Sequence, residues 1–250
     1  MKEVWILSFG AGVNSTALLF WLVKNKKPLD EVIFANTMNE MPETYPHIKK
    51  IKEWCEKKNI LFTVVKTHLG DGNLREWYLE KKKIPVRIIR SCTDLFKIRP
   101  IYKYLKKKHG EVHINCYLGI SYEERKRVKT SGRKDRTLLY PLVDNKIDRE
   151  ECKEIIKQNG FEVPVKSGCY FCPFQNKGSW NRLLKNHPEL FEESIKFEEN
   201  GSGFPEYYLG RGMPLRKFKK IIKEQSNLAN FLLQQEKDYG EVEQCVYCHL

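Results

Sequence analysis

Apolar residues along this chain fall into short runs, separated by stretches in which they recur at helical spacing. Val4-Trp5-Ile6-Leu7 is long enough for a buried strand and too short for a helix. The run breaks at Ser8-Phe9-Gly10-Ala11-Gly12-Val13-Asn14-Ser15. Beyond it Ala17, Leu18, Leu19, Leu22 and Val23 predict a helix. Residues 31–36, 60–65 and 112–118 predict further strands. Ile48, Ile51 and Trp54 mark a helix that opens near Pro42 and runs to about Lys58. Another helix is expected over 74–82. A third runs from about Thr93 to Lys108, and Pro100 inside it should kink or restart it. Asp148, with Glu151 three residues on, reads as a capping box opening a helix that ends at Gly160. Strands alternating with helices in this order predict an α/β fold. Its sheet is open, mostly parallel and Rossmann-like, with helices on both faces. Ligands bind such sheets at the carboxyl ends of the strands, where the loops at 8–15 and 36–41 fall.

The composition changes towards the far end of the chain. Trp180, Leu183, Leu184, Leu190, Phe191, Ile195 and Phe197 suggest helices, and residues 214–236 one long helix. The expected division is a nucleotide-binding α/β domain over 1–145 and a helical, cysteine-rich region over 146–250. The 250 residues are 41% hydrophobic, enough for a sizeable core, yet no apolar run approaches the length of a membrane span. The first residues do not form a signal peptide. A soluble, cytoplasmic protein is expected.

Charge and cysteine content narrow the chemistry. A net charge of +13 predicts attraction to polyanions. Lys126, Arg127, Lys129, Arg133, Lys134 and Arg136 crowd one segment, suited to a nucleic-acid backbone or to a nucleotide's own phosphates. Eight cysteines in a cytoplasmic chain argue for metal, cluster or redox chemistry. Cys169 and Cys172 form one Cys-x2-Cys knuckle, Cys245 and Cys248 a second. Four thiolates from two knuckles suit structural zinc or a 4Fe-4S cluster. Joining Cys92 to Cys169, Cys172 and one of the later pair would put a cluster at the nucleotide site. Cys55, Cys116 and Cys152 sit inside regular elements and read as structural.

The loop at 8–15 joins a strand to a helix, so its N–H groups and the helix dipole favour an anion. Gly10 and Gly12 permit close approach, and Ser8, Ser15 and Thr16 add hydroxyl donors. No Gly-Lys-Ser/Thr ends the loop, and no third glycine completes a dinucleotide fingerprint. Gly10-Ala11-Gly12-Val13-Asn14-Ser15 resembles instead the PP-loop Ser-Gly-Gly-x-Asp-Ser of the adenine nucleotide alpha-hydrolase superfamily, with Asn14 in place of the Asp. Residues 36–44, Asn36-Thr37-Met38-Asn39-Glu40-Met41-Pro42-Glu43-Thr44, resemble the Asp-Thr-Gly-x-Glu-x-Pro-Glu-Thr of its phosphoadenosine phosphosulfate (PAPS) reductase branch. Cys92-x4-Lys97-x2-Pro100 and Gly119-Ile120-Ser121-Tyr122-Glu123-Glu124 resemble two further segments of that branch. Residues 138–142 resemble its closing strand. Cys92-Thr-Asp-Leu-Phe-Lys97-Ile-Arg99-Pro100 and Lys166-Ser-Gly-Cys169-Tyr-Phe-Cys172-Pro-Phe174 are similar to PAPS reductase-domain proteins of phages and mobile elements.

The resemblance implies a HUP-type fold and an adenine nucleotide, ATP or PAPS/adenylyl sulfate, with Mg²⁺. It implies nucleotide contacts from Ser8, Gly10, Ala11, Gly12, Asn14, Ser15 and Thr16 in the first loop. Asn36, Thr37 and Glu40 join from the second. Lys97, with Arg90 and Arg99, would hold phosphates or sulfate, and Gly119 and Ile120 would lie over the nucleotide. The first functional expectation is ATP-dependent adenylation followed by sulfur transfer to tRNA or DNA. An iron-sulfur cluster or a separate sulfur donor would serve it. The second is a thiol-dependent reductase releasing sulfite, with Cys248 or Cys245 as the attacking thiolate and Lys97 on the sulfate. The third is a non-catalytic nucleotide- or nucleic-acid-binding module with structural zinc. Cys92, Lys97 and Cys248 are the expected catalytic residues. A homodimer is among the expected assemblies.

Overall fold

A computed structural model of the chain describes residues 2–201, 208–210 and 212–224. Cys245, Cys248 and the expected helix beyond residue 224 lie outside the described residues. The chain divides into two compact units. One comprises 2–68 and 93–168, the other Leu69–Cys92 and the described residues between Cys169 and Glu224.

The first unit is built on a five-stranded sheet. Its strands are β1 (Glu3–Ser8), β2 (Glu31–Ala35), β3 (Leu61–Val65), β4 (His113–Leu118) and β5 (Arg136–Leu139), in the order β3-β2-β1-β4-β5. Every pairing is parallel, with Ile6 opposite Glu31 on one side of β1 and Cys116 on the other. Alternation along β1 sends Leu7 to one face and Val4 and Ile6 to the other, all of them buried. On the Leu7 face lie α1 (Val13–Lys24), α2 (Thr44–Lys57) and α7 (Arg149–Gln158). They contribute Leu18, Ile51 and Ile156 to that core. On the other face α5 (Arg99–His109) packs Ile101 and Leu105 over Val4, Ile6 and Ile114. Each such side chain contributes about 1.5–3 kcal/mol by leaving water. Helices on both faces explain why the strands read as unbroken apolar runs.

α1 is buried nearly all round, which suits its run Ala17-Leu18-Leu19-Phe20. α7 opens on the expected capping box. Asp148 accepts from the Glu151 N–H and Glu151 from the Asp148 N–H, each at 2.9 Å. The expected helix over 93–108 is subdivided. α4 (Ser91–Thr93) leads into a π-helical turn over Asp94–Ile98, and α5 then begins with Pro100 in its first turn. Pro100 has no N–H to return to Phe96, so the Arg99 N–H reaches back to the Asp94 carbonyl instead. Residues 138–142 are shared between the end of β5 and α6 (Pro141–Asp144), because Pro141 favours a helix start.

The second unit carries α3 (Leu74–Glu80), α8 (Lys177–Asn186), α9 (Pro188–Asn200) and α10 (Leu215–Glu224). Its core is aromatic. Phe171 meets Phe197 at 4.7 Å between ring centroids, and Tyr78 and Trp180 pack on Phe197 and Phe191. Buried Glu198 accepts from the Leu209 and Leu215 N–H groups, both at 2.7 Å, and ties the chain before α10 to α9. Among the described residues no helix is long and apolar enough to cross a membrane.

Candidate nucleotide and cysteine sites

Strand order locates the first site. From β1 the chain steps outward through β2 and β3, and it later returns to the other side of β1 through β4 and β5. The direction reverses between β1 and β4, and loops leaving two such strands part to form a crevice. The loop after β1 supplies Gly10, Ala11 and Gly12, with Gly12 capping α1. Its first turn holds Val13, Asn14 and Ser15 and contains no carboxylate. Those amides are left over by the helix's own bonding, and the first return bond runs from Thr16 N–H to the Gly12 carbonyl. Gly119 follows β4 and lies flat against this turn. A Cβ there would stand 2.7 Å from both Ser15 N and Ser15 Cα.

Two non-glycine residues sit in left-handed conformation at the mouths of β1 and β2, Ala11 at φ 57° and Met38 at φ 62°. They occupy the positions where the PP-loop and Asp-Thr-Gly patterns carry glycine. A left-handed Ala or Met costs about 1–2 kcal/mol, so the loop shapes of those patterns are kept against a local penalty. Asn36 stabilises the second turn by accepting from the Met38 N–H at 2.8 Å.

Side chains around the loop are tightly engaged. Asn14 is buried, and its amide donates to Ser121 Oγ at 3.0 Å and to Glu124 Oε2 at 2.8 Å. The Glu124 carboxylate also pairs with Arg127. Asn14 Oδ1 is buried without a hydrogen-bond partner among the described residues. A buried acceptor left so costs about 1–3 kcal/mol unless something arrives to bond it. Asn14 Oδ1 and the neighbouring Glu124 carboxylate are hard oxygen donors, the kind Mg²⁺ takes alongside phosphates. In kind they fit that ion. Thr16 Oγ1 lies 2.9 Å from Nε2 of His47, whose pKa burial, seconded by Lys50, lowers to about 4. Lys97 projects from the π-turn to buried Glu40, Nζ to Oε1 3.3 Å, and Thr37 donates to the same oxygen at 3.1 Å. Ser8 and Ile120 are buried beside the loop. Arg99 pairs with Asp94 at 2.7 Å on the outer side of α5.

Sequence reasoning passed over three of these neighbours. Ser167 stands so close to Gly12 that a Cβ on Gly12 would meet its Oγ at 2.8 Å, and the Gly168 carbonyl accepts from the Met41 N–H at 2.9 Å. Glu124 was quoted only as part of a segment, and His47 not at all. Glu124 and Ser167 each lie within a segment that carries the family resemblance, and that was their signal; no local signal marks His47.

The second unit holds a cluster of hydroxyl and thiol side chains. Tyr78 Oη lies 2.9 Å from Ser91 Oγ and within hydrogen-bonding reach of the Cys92 thiol, with Cys169 close enough to perturb it. Burial, then Cys92, pushes the Tyr78 phenol up. Cys172 closes a turn on the Cys169 carbonyl at 3.0 Å, and Gln175 Nε2 donates to that carbonyl at 3.4 Å. Arg90, at φ 51°, lays its guanidinium over Phe174, 4.7 Å from the ring centroid. Cys92, Cys169 and Cys172 thus share one unit, and a thiol donor set fits iron-sulfur or zinc in kind. Among the described residues no three His, Cys, Asp or Glu side chains are gathered as a formed metal site. Cys245 and Cys248 lie outside them. Cys55, Cys116 and Cys152 are buried in the first unit, and burial pushes each thiol up to about 12. Such thiols are inert.

Residues 4–116 match the phosphoadenosine phosphosulfate reductase domain family. The chain is 27% identical over 247 residues to the uncharacterised protein MJ0973 of Methanocaldococcus jannaschii, covering 92% of this chain and 55% of that protein. It is 25% identical over 194 residues to the uncharacterised nin region protein ORF290 of Escherichia phage lambda, covering 67% of this chain and 64% of that one. It spans about half the length of the curated relatives it matches first. Among solved structures, the U34-tRNA thiolase NcsA from Methanococcus maripaludis with its 4Fe-4S cluster aligns with a TM-score of 0.43 at 16% identity. That alignment covers 88% of this chain and 80% of the thiolase.

Proposed function

Residues 4–116 match the phosphoadenosine phosphosulfate reductase domain family, and we propose that the protein binds ATP, adenylates a carbonyl oxygen of a nucleic acid, and replaces that oxygen with sulfur. The observation that carries this reading is the pair of oxygen donors beside the loop, buried Asn14 Oδ1 and the half-buried Glu124 carboxylate. Hard oxygen donors beside an anion-receiving helix terminus serve a metal-bound triphosphate. A sulfonucleotide reductase has no need of them.

The chemistry divides into two displacements. The acceptor's carbonyl oxygen attacks the α-phosphorus of ATP. The bond to the bridging oxygen breaks, and pyrophosphate leaves. Sulfide then attacks the activated carbon, and the C–O bond breaks to release AMP; where a persulfide attacks instead, a second thiol must next cleave its S–S bond, leaving as a disulfide while the acceptor keeps the outer sulfur. The residues Ser8, Gly10, Ala11, Gly12, Ser15 and Thr16 position the phosphates, and the first-turn amides of α1 stabilise the charge developing on pyrophosphate. Asn36, Thr37 and Gly119 with Ile120 bound the nucleoside. Lys97, paired with Glu40 in the described structure, turns to phosphate when the nucleotide arrives. Asn14 and Glu124 would hold Mg²⁺, which neutralises phosphate charge. Cys92, Cys169 and Cys172, with Cys245 or Cys248, would hold a 4Fe-4S cluster that supplies or carries the sulfur; zinc at the same thiols would be structural.

The test is a product balance on the purified protein. ATP with an unmodified tRNA or DNA and sulfide should yield pyrophosphate and AMP in equal amounts. PAPS or adenylyl sulfate with a thiol should yield no sulfite. Sulfite without ATP consumption would replace this reading by the reductase, and neither product would leave a binding module.

A further inference from the structure

A groove of about 1060 Å³ runs along the outer side of α5, facing the turn before β5. It belongs wholly to the first unit. Arg99, Lys103 and Lys106 line one wall at spacings of four and three residues, hence along a single stripe of the helix. Arg133, Lys134 and Arg136 line the other. Against these six cations the lining contains three carboxylates, Asp94, Glu111 and Asp135. Those are already paired, with Arg99, Lys106 and Arg136 respectively. Lys103, Arg133 and Lys134 are exposed and have no ion pair among the described residues. Glu111, and then Asp135 from across the groove, raise the pKa of Lys106 more than Arg133 lowers it.

We propose that this groove seats the phosphodiester backbone of a nucleic acid. From Arg99 to Lys106 the stripe covers about 10 Å at 1.5 Å per residue. That is the axial length of about three phosphates on one duplex strand. Three cations outside any ion pair among the described residues, Lys103, Arg133 and Lys134, match them in number. Six cations line its walls, presented from a helix and from a sheet edge, which together track an anionic strand rather than a single phosphate. That the bound strand is the sulfur acceptor rests on the reading above; the groove's affinity for the backbone does not.

The test is fluorescence anisotropy with a fluorescein-labelled RNA hairpin, and a DNA hairpin of the same sequence, across a salt series without ATP. The triple variant Lys103→Glu, Arg133→Glu, Lys134→Glu should bind at least tenfold more weakly. Its plot of log affinity against log salt should flatten by about 2–3, near 0.9 per lost phosphate contact. A control triple on α2 and its C-cap, Lys49→Glu, Lys57→Glu, Lys58→Glu, makes the same change in net charge and should leave the slope within about 1 of wild type. Equal weakening by both triples, an unchanged slope in the groove triple, or no binding of either hairpin by wild type would overturn the proposal. Should the groove triple unfold in urea early, Lys134→Glu alone should lower the slope by about 1. Loss of hairpin binding in a protein that makes no pyrophosphate would keep the groove and remove the transferase. Pyrophosphate formation with an unaffected groove triple would do the reverse.

Discussion

Gly119→Ala adds one methyl where β4 delivers the chain against the start of α1. The added carbon would lie 2.7 Å from Ser15 N and Cα and 3.0 Å from Asn14 C. Ordinary carbon contacts are about 3.5–4.0 Å, so the two segments must part by about 1 Å. Neither yields easily. α1 is buried along most of its length, and β4 is paired on both sides, with β1 and β5. Overpacking of this kind costs about 1–3 kcal/mol. Gly132→Ala is the matched control, because a Cβ there meets nothing within 4 Å. Both substitutions restrict the unfolded chain alike, so the difference between them isolates the clash. Urea denaturation should place Gly119→Ala about 1–3 kcal/mol below Gly132→Ala. Titration with ATP should show at least tenfold weaker binding, since the shifted amides of α1 lose about one good hydrogen bond. A Gly119→Ala protein as stable as the control would refute the packing argument. Equal ATP affinity with lowered stability would refute the placing of the nucleotide.

Three further outcomes are expected. His47 stays neutral when folded, with a pKa near 4 against 6.5 when unfolded, so the unfolded chain binds the extra proton and stability falls as pH drops from 6.5 towards 4. Between pH 7 and 5 wild type should lose about 2 kcal/mol more than His47→Gln, and parallel pH profiles would contradict this. Lys97→Met strands the buried Glu40 carboxylate and should lower stability by about 3–5 kcal/mol. Adding Glu40→Gln should return most of it in a double-mutant cycle, and a Lys97→Met protein within 1 kcal/mol of wild type would show the pair to be solvated. Iron, sulfide and zinc counted on anaerobically purified protein should fall in Cys92→Ala, Cys169→Ala and Cys172→Ala and hold in Cys55→Ala, Cys116→Ala and Cys152→Ala. Metal retained in Cys92→Ala would remove that residue from the ligand set.

What could be read from the sequence was what local chemistry decides. The apolar runs at 4–7 and 31–35 became central strands because a strand buried on both faces needs no polar alternation. Asp148 and Glu151 cap α7 as their spacing predicts. Pro100 announced a break in its helix, although its form, a π-turn that turns Lys97 to Glu40, depends on which carbonyl the Arg99 N–H reaches. The loop sequences at 8–15 and 36–44 identified the strand ends that matter. Contacts set by topology left no such trace. Asn14 meets Ser121 and Glu124 only because β4 docks beside β1. Ser167 reaches Gly12 and His47 reaches Thr16 through packing that no spacing rule encodes. The grouping of residues 69–92 with the chain beyond 169 is likewise invisible in linear order.

The position of β1 at the middle of the sheet has a consequence for synthesis. One edge of β1 finds β2 within a few tens of residues, while its other edge waits for residues 113–118. Ribosomes deliver about 5–20 residues per second, so the strand emerges half-paired for roughly 4–20 s. Throughout that interval Val4, Ile6 and Leu7 border an open row of backbone donors and acceptors, a template for pairing with other chains. Gly119 reaches the start of α1 only with β4, so the loop of the proposed nucleotide site is unfinished until then and no ligand there can shelter the nascent strand. Chaperone capture of this protein should therefore be concentrated before residue 118 leaves the ribosome and should decline after it.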